Sequence, residues 1–483
     1  MKRAIAIVFL MCTSTAFAHV GTTDVYMDGY AGPYHLLVTV RPPGVIPGVA
    51  DIQIRVLTPG VNELRIVPTR IVGQGSDMAP VPDVARQSKE DPQLYTGKLW
   101  IMLRGSWKVR IDATGNQGAA QLSVPIAAVA QFPLPMKKYM GLLLSVLGFL
   151  LVVGAVSIVG ASVREAKLQP GDVPDQRSRT RARIAMTVAS LFAIAILWLS
   201  NGWWNAEAAQ NRQGVYETPR VQVKLEGNKL LLHLQNSNGR NWSEPLRMTD
   251  FVPDHGHLMH LFLVRMPQMD VFAHLHPEHV ELGNFIDTLP PMQPGHYKVF
   301  ADIVHATGFP ETYVGEVDLP AISSGALQGD DSVRDSFGAN SDTSDLGDGY
   351  RMIWEEPAGL KTNELAWLKF KVVDKNGQPA EDLEPYMGMA AHALFVNSDG
   401  SVFAHVHPSG SVPMASIELA QGGHVPPPEM AEMAGMPGMN HATDIDSEVS
   451  FPWGFPRPGS YRIFVQVKRA GHVDTGVFEA AVQ

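Results

Sequence analysis

The 483-residue sequence has a single cysteine, Cys12. It falls inside the first eighteen residues, which read as an export leader: Lys2 and Arg3, then the apolar "AIAIVFLM", then "AFA" ending at Ala18. Removal of that leader leaves a chain without thiols, so disulfides and thiolate metal sites are excluded. Charge is also sparse, at 18 % Asp, Glu, Lys and Arg, and the net charge is −10, which argues against general nucleic-acid binding. There is no HExxH motif and no nucleophile elbow, so no hydrolytic signature is present. Any bound ion must be held by His, Met, carboxylates or backbone.

Long apolar runs are few but distinct. Residues 139–163 carry no charge, and residues 184–204 end at Trp203 and Trp204, side chains suited to a headgroup boundary. Both are expected to span a bilayer. The connecting loop 164–183 is rich in Arg and is expected on the cytoplasmic side. Both large flanking segments are then periplasmic, as the leader requires, and the membrane is the bacterial inner membrane. The spans contain no ionisable residue, so they offer no transport pathway.

The rest alternates apolar and polar residues in short runs punctuated by Gly and Pro, a mainly β pattern. Residues 19–130 form one expected β-sandwich. Two further segments, 217–320 and 349–483, are copies of each other. "HLMHLFLVRMPQMDVFAHLHP" at 257–277 matches "MAAHALFVNSDGSVFAHVHP" at 389–408, and "MQPGHYKVFADIV" at 292–304 matches "PRPGSYRIFVQVK" at 456–468. The join at 321–348, rich in Ser, Asp and Gly, reads as a flexible linker. The expected fold is three immunoglobulin- or cupredoxin-like sandwiches plus a two-helix transmembrane hairpin.

Each repeat carries a histidine hairpin. In the second, Asp399-Gly400 marks a two-residue turn, which sets Val396 opposite Phe403, Leu394 opposite His405 and His392 opposite His407. In the first, a three-residue loop at 267–269 sets Phe262 opposite His274 and His260 opposite His276. Side chains alternate between faces along a strand. His260, His274 and His276 are therefore expected on one sheet face, and His392, His405 and His407 on its counterpart. Directly paired residues have Cβ atoms about 4.5–5.5 Å apart, close enough for imidazoles to share an ion. His255, His257 and His279 flank the first hairpin and either enlarge that site or build another. His305 and His296 have no counterparts in the second repeat, where Arg469 and Ser460 stand.

Two other stretches offer ligands. Met430, Met433, Met436 and Met439 recur every third residue and are followed by His441. Gly435, Pro437 and Gly438 argue against a continuous helix there, and thioethers select Cu(I). Cleavage after Ala18 makes His19 the first residue, able to chelate through its amine and its ring, with His35 a candidate second ligand.

The hairpins "HLMHLFLVR…VFAHLHP" and "MAAHALFVNSDGSVFAHVHP", with "HLLVTVRPPGVIPGVADIQIRV" and "LRGSWKVRIDATG", resemble bacterial secreted proteins classed as YtkA-like or FixH-like. That resemblance implies immunoglobulin-like β domains and copper handling. A histidine placed like His19 is similar to the CopC type of copper-resistance protein. The function expected is capture, buffering or delivery of copper by a membrane-anchored periplasmic protein without covalent chemistry. Cu(II) or Zn(II) is expected on the histidines and Cu(I) on the methionines, with periplasmic donor or acceptor proteins as partners. The alternatives are a scaffold of tandem β domains with structural histidines, and a His-ligated metalloenzyme using Glu278 or Asp302.

Overall fold

The computed structural model describes residues 24–483 apart from 74, 77, 135, 170, 236–245, 336–341, 358 and 424–444. His19, the methionines at 430–439 and His441 lie outside the described residues. The chain divides into two compact units, residues 130–216 and the remainder.

The smaller unit is a pair of helices, α1 (Lys138–Glu165) and α2 (Gln176–Arg212). Their most apolar 18-residue windows are 0 % and 6 % buried, so they are not core helices wrapped in protein. Each is long and apolar enough to cross a membrane. α2 begins earlier than expected: Arg177, Arg179, Arg181 and Arg183, assigned to the loop, lie in its first turns. Asp175 starts it by accepting a hydrogen bond from the Ser178 N–H at 2.7 Å.

The larger unit is built from six antiparallel sheets. A five-stranded and a four-stranded sheet make the N-terminal sandwich, from Val25–Ala31 to Gly118–Ala128. The first repeat sets a four-stranded sheet against a six-stranded one, and the second a four-stranded sheet against a five-stranded one. The mainly β, tandem-sandwich expectation therefore holds.

The histidine hairpins have the expected registers. Phe262 faces His274 and Val264 faces Phe272 in the first; Leu394 faces His405 and Val396 faces Phe403 in the second. Alternation then divides their side chains. Leu261, Leu263, Ala273 and Leu275 enter the core of the first sandwich. Ala393, Phe395, Ala404 and Val406 enter that of the second. The opposite faces meet each other. Phe262, Phe272 and Phe300 of the first repeat form a separate apolar cluster with Leu394, Phe403 and Phe464 of the second. Phe300 stacks on Phe403 and Phe272 on Phe464, both with ring centroids 4.3 Å apart. This seam continues directly into the histidines.

The 321–348 linker expectation is corrected. Ser332–Asp335 is a strand that pairs with Val271–Leu275 at the edge of the histidine sheet, setting His274 opposite Ser332. Thr343–Gly347 is a strand of the second repeat. Edge strands complete backbone hydrogen bonds without needing an apolar face, so a Ser/Asp/Gly composition concealed them.

The N-terminal sandwich braces the second hairpin. The Asp28 N–H donates to the Ser409 carbonyl at 2.8 Å, and the Ser411 N–H to the Tyr26 carbonyl at 2.9 Å. Gly410 has φ +123°, and a Cβ there would stand 1.9 Å from the Tyr26 carbonyl oxygen, so only glycine fits. The turn that begins at His407 is thereby held from outside its own repeat.

Phe300→Ala is expected to cost about 3–5 kcal/mol, the usual range for emptying a buried phenylalanine site. Denaturant unfolding of the full chain measures it; a shift under 1 kcal/mol would mean the seam contributes little.

Candidate metal centre

Eight histidines gather at the end of the seam: His255, His257, His260, His274 and His276 from the first repeat, and His392, His405 and His407 from the second. Neighbouring ring centroids lie 3.9 Å (His257–His276), 4.6 Å (His274–His276 and His405–His407), 5.4 Å (His260–His405) and 5.0 Å (His255–His392) apart. The two hairpins therefore form one cluster, not two separate sites.

Within it, two trios each offer three ligand atoms lying within 4.8 Å of one another. The first is His260, His274 and His276, as the strand register predicts. The second is His255, His392 and His407. The expected trio of His392, His405 and His407 is corrected in one member. His255 crosses from the first repeat, and His405 stands between the trios.

His255 reaches across because of its turn. Asp254 and His257 close a tight turn, with His255 at φ 52° and Gly256 at φ 86°. The second repeat has the same turn at Tyr386–Met389, with Met387 at φ 51° and Gly388 at φ 77°. The Asp254 side chain accepts from the Ala415 N–H at 2.8 Å, at the start of the short helix α3 (Met414–Ala420). That anchors the turn against the second repeat.

Five of the six trio rings have one nitrogen tied to a protein acceptor, which assigns the tautomers of those held by carbonyl oxygens. His255 Nδ1–H donates to the Met387 carbonyl at 2.9 Å, and His407 Nδ1–H to the Val412 carbonyl at 3.3 Å. Their Nε2 lone pairs then face each other at 3.3 Å. In the first trio, His260 Nε2–H donates to the Asp254 carbonyl at 3.1 Å and His274 Nδ1–H to Gln466 Oε1 at 2.8 Å. His260 Nδ1 and His274 Nε2 consequently face each other as lone pairs at 3.1 Å. His276 Nδ1 bonds Asp331 at 3.0 Å. Two nitrogens bound tetrahedrally at about 2.0–2.1 Å to one ion stand roughly 3.3–3.4 Å apart. Both facing pairs approach that spacing.

Lone pairs that face each other repel unless a cation sits between them. Burial disfavours a proton in that role. It pushes His255 and His407 down to about 4 and His274 to about 3, and it holds His260, His276, His392 and His405 well below the ordinary imidazole value. Neutral imidazole is the form that binds metals. Among the described residues, His276 Nε2, His405 Nε2 and both ring nitrogens of His392 have no hydrogen-bond partner although buried. Such groups are costly to leave unmatched.

Acids line the same cluster, Asp254 buried and Asp302 and Asp331 half-buried. Burial raises Asp302 and Asp331 to about 7 and also raises Asp254. Asp302 Oδ2 lies 3.6 Å from His405 Nδ1, and its Oδ1 has no hydrogen-bond partner among the described residues. These carboxyls can supply negative charge against an enclosed divalent ion. The residues present therefore fit a metal with nitrogen ligands, two trios deep.

Other expected ligands lie elsewhere. His279 is exposed on Glu278–Glu281, in the other sheet of its repeat, and packs edge-on against Phe251 and tilted against Phe285. Its strand pairs with Asn284–Thr288, so the chain has already left the hairpin sheet at His279. Glu278 is exposed on the same strand, so of the two acids only Asp302 joins the cluster. His35 is bound to Asp28 and stacked on Tyr30. His296 bonds Asp318 at the surface. His305 bonds Asp250 at 2.7 Å and Glu311 at 3.2 Å, a closed ion triplet. Sequence reasoning missed Asp331, Gln466 and Tyr386. Gln466 was traceable, since it occupies the repeat position of Asp302.

A family model described as a domain of unknown function (DUF8832) matches residues 343–483, essentially the second repeat. No curated protein matches. Among solved structures, the chain is similar at 10 % identity to a tetra-tandem repeat in the extending region of a large adhesion protein. That match has a TM-score of 0.17 and covers 92 % of this chain and 72 % of that one. Salmonella alpha-2-macroglobulin reacted with methylamine gives 9 % identity and a TM-score of 0.21, covering 96 % of this chain and 24 % of that one. A putative membrane anchored protein from Corynebacterium diphtheriae gives 11 % and 0.16, covering 95 % of both chains. Scores this low carry no argument about site or function.

Two outcomes follow from these contacts. Gln466→Leu removes the nearer acceptor of His274 Nδ1–H and leaves the Tyr386 hydroxyl at 3.2 Å; it is expected to cost about 1–3 kcal/mol in denaturant unfolding of the metal-free chain, and no loss would show that the Gln466 bond does not hold the ring. For His305, burial opposes its charge, but hydrogen bonds and charges from Asp250 and Glu311 outweigh burial and raise it to about 9. Its stabilising contribution is complete below about pH 6.5, its unfolded value, and is lost as pH rises through about 9. His305→Gln should flatten that alkaline decline; an unchanged pH profile would refute the triplet's role.

Proposed function

We propose that this chain is a membrane-anchored periplasmic protein that captures, buffers or hands on metal ions, copper first and zinc second. The observation that carries this reading is the pair of facing imidazole lone pairs, at 3.3 Å and 3.1 Å, in a buried cluster that disfavours protons. Imidazole suits both copper and zinc. The ligand side chains are enclosed, with His255 0 % and His276 4 % exposed, which favours holding an ion over turning over a bulky substrate. Burial of this kind also slows exchange with solvent, as a storage or delivery site requires.

The membrane reading rests on the two apolar helices and the arginines at the start of α2. With that basic segment cytoplasmic, both flanking β segments are periplasmic and the helices cross the inner membrane twice. The methionines at 430–439 with His441, and His19 at a cleaved N-terminus, would add Cu(I) and Cu(II) capture at entry points. Partners are then periplasmic donors or acceptors of the ion.

The test is titration of the full chain in detergent with Cu(II), Cu(I) and Zn(II). The His260→Ala/His276→Ala and His392→Ala/His407→Ala pairs are each expected to lose one tightly held ion per chain. Unchanged binding in both would eliminate the centre. Deleting 426–441 should lower Cu(I) uptake more than Cu(II) uptake, and equal losses would count against an oxidation-state role for the methionines.

A further inference from the structure

The two trios share more than a neighbourhood. His405 contacts both: its ring centroid lies 5.4 Å from His260 and 6.0 Å from His274 in the first trio. It lies 5.4 Å from His392 and 4.6 Å from His407 in the second. Its Nε2 is buried and has no hydrogen-bond partner among the described residues, while its Nδ1 faces the Asp302 carboxylate at 3.6 Å. His255, a member of the second trio, has its ring centroid 6.0 Å from His260 of the first.

We infer that the trios form one two-ion centre in which His405, steadied by Asp302, is an arm within reach of either ion and ligates one at a time through Nε2. This rests on the metal-binding reading above and goes beyond it by coupling the sites. The asymmetry of the ligands sets an order. The first trio comes wholly from the first repeat, on one hairpin face. The second draws His255 from the first repeat and His392 and His407 from the second, so it is complete only when the repeats are docked. The first ion fills the single-repeat trio. The second ion clasps the repeats together, and His405 moves the preferred geometry of one site according to the occupancy of the other. A buried arm with one free nitrogen between two ligand sets also gives an ion a path from one trio to the other without release to solvent.

The experiment is Cu(II) titration of the full chain in detergent, followed by electron paramagnetic resonance. At one equivalent the spectrum should show an isolated Cu(II) ion. At two equivalents it should show dipolar broadening and a half-field transition from two close spins. Two bound ions with an uncoupled spectrum would overturn the shared centre while leaving metal binding intact. Saturation at one ion would also overturn it. Absence of Cu(II) binding would overturn this inference, and absence of Cu(II), Cu(I) and Zn(II) binding alike would overturn the proposed function with it. His405→Ala and His405→Gln should weaken the second ion about tenfold or more and leave the first within about threefold, the scale on which supporting groups act on metal affinity. Equal affinity for both ions in both variants would remove His405 from the centre. The wild-type spectrum decides the coupling even if neither variant folds.

Discussion

An imidazole enclosed between two packed sheets must find a partner for each of its ring nitrogens, and the rest of this site follows from that constraint. One nitrogen on each of five rings is satisfied by backbone carbonyls at Asp254, Met387 and Val412 and by the side chains of Gln466 and Asp331, while His392 has neither nitrogen matched among the described residues. That leaves the inner nitrogens as acceptors aimed at one another. A cluster of this kind is stable only if it is ionised, hydrated or metallated. Its burial and its mutual charge repulsion weigh against ionisation. Nitrogen ligation of a metal would resolve the conflict without adding protein charge, and the carboxyls of Asp254, Asp302 and Asp331 beside it would balance the ion.

The architecture that creates this constraint is simple alternation. Strand side chains of one parity fill each sandwich, and those of the other parity carry Phe toward one end of the seam and His toward the other. Docking two copies of the same hairpin face to face therefore stacks aromatic on aromatic and gathers histidine on histidine. The docked repeats gather a histidine cluster larger than either repeat holds alone. The cluster is asymmetric, with His255 and His257 on one turn where the other has Met387 and Met389, and Asp302 on one strand where the other has Gln466.

Much of this was legible in the sequence, and the reasons are physical. Asp399-Gly400 fixes a hairpin register by turn geometry alone, and the three-residue loop at 267–269 does the same in the first repeat, so the shared face of each trio could be derived. Period-2 alternation identified the β class, and uninterrupted apolar length identified the helices. What the sequence withheld was long-range. No local pattern says that the histidine face of one sandwich packs on that of another, so the exchange of His255 for His405 in the second trio was out of reach. Composition misdirected the reading of 321–348, because an edge strand such as Ser332–Asp335 draws on backbone bonding and not on apolar burial. His279 misled for a related reason: it is near in sequence but follows the chain into the opposite sheet.

The most direct test of the account is X-ray absorption at the copper edge on full chain loaded with Cu(II). The account predicts a first shell of imidazole nitrogens at about 2.0 Å with the outer-shell scattering of about three rings per ion. A first shell made of oxygen alone, with no imidazole scattering, would contradict it.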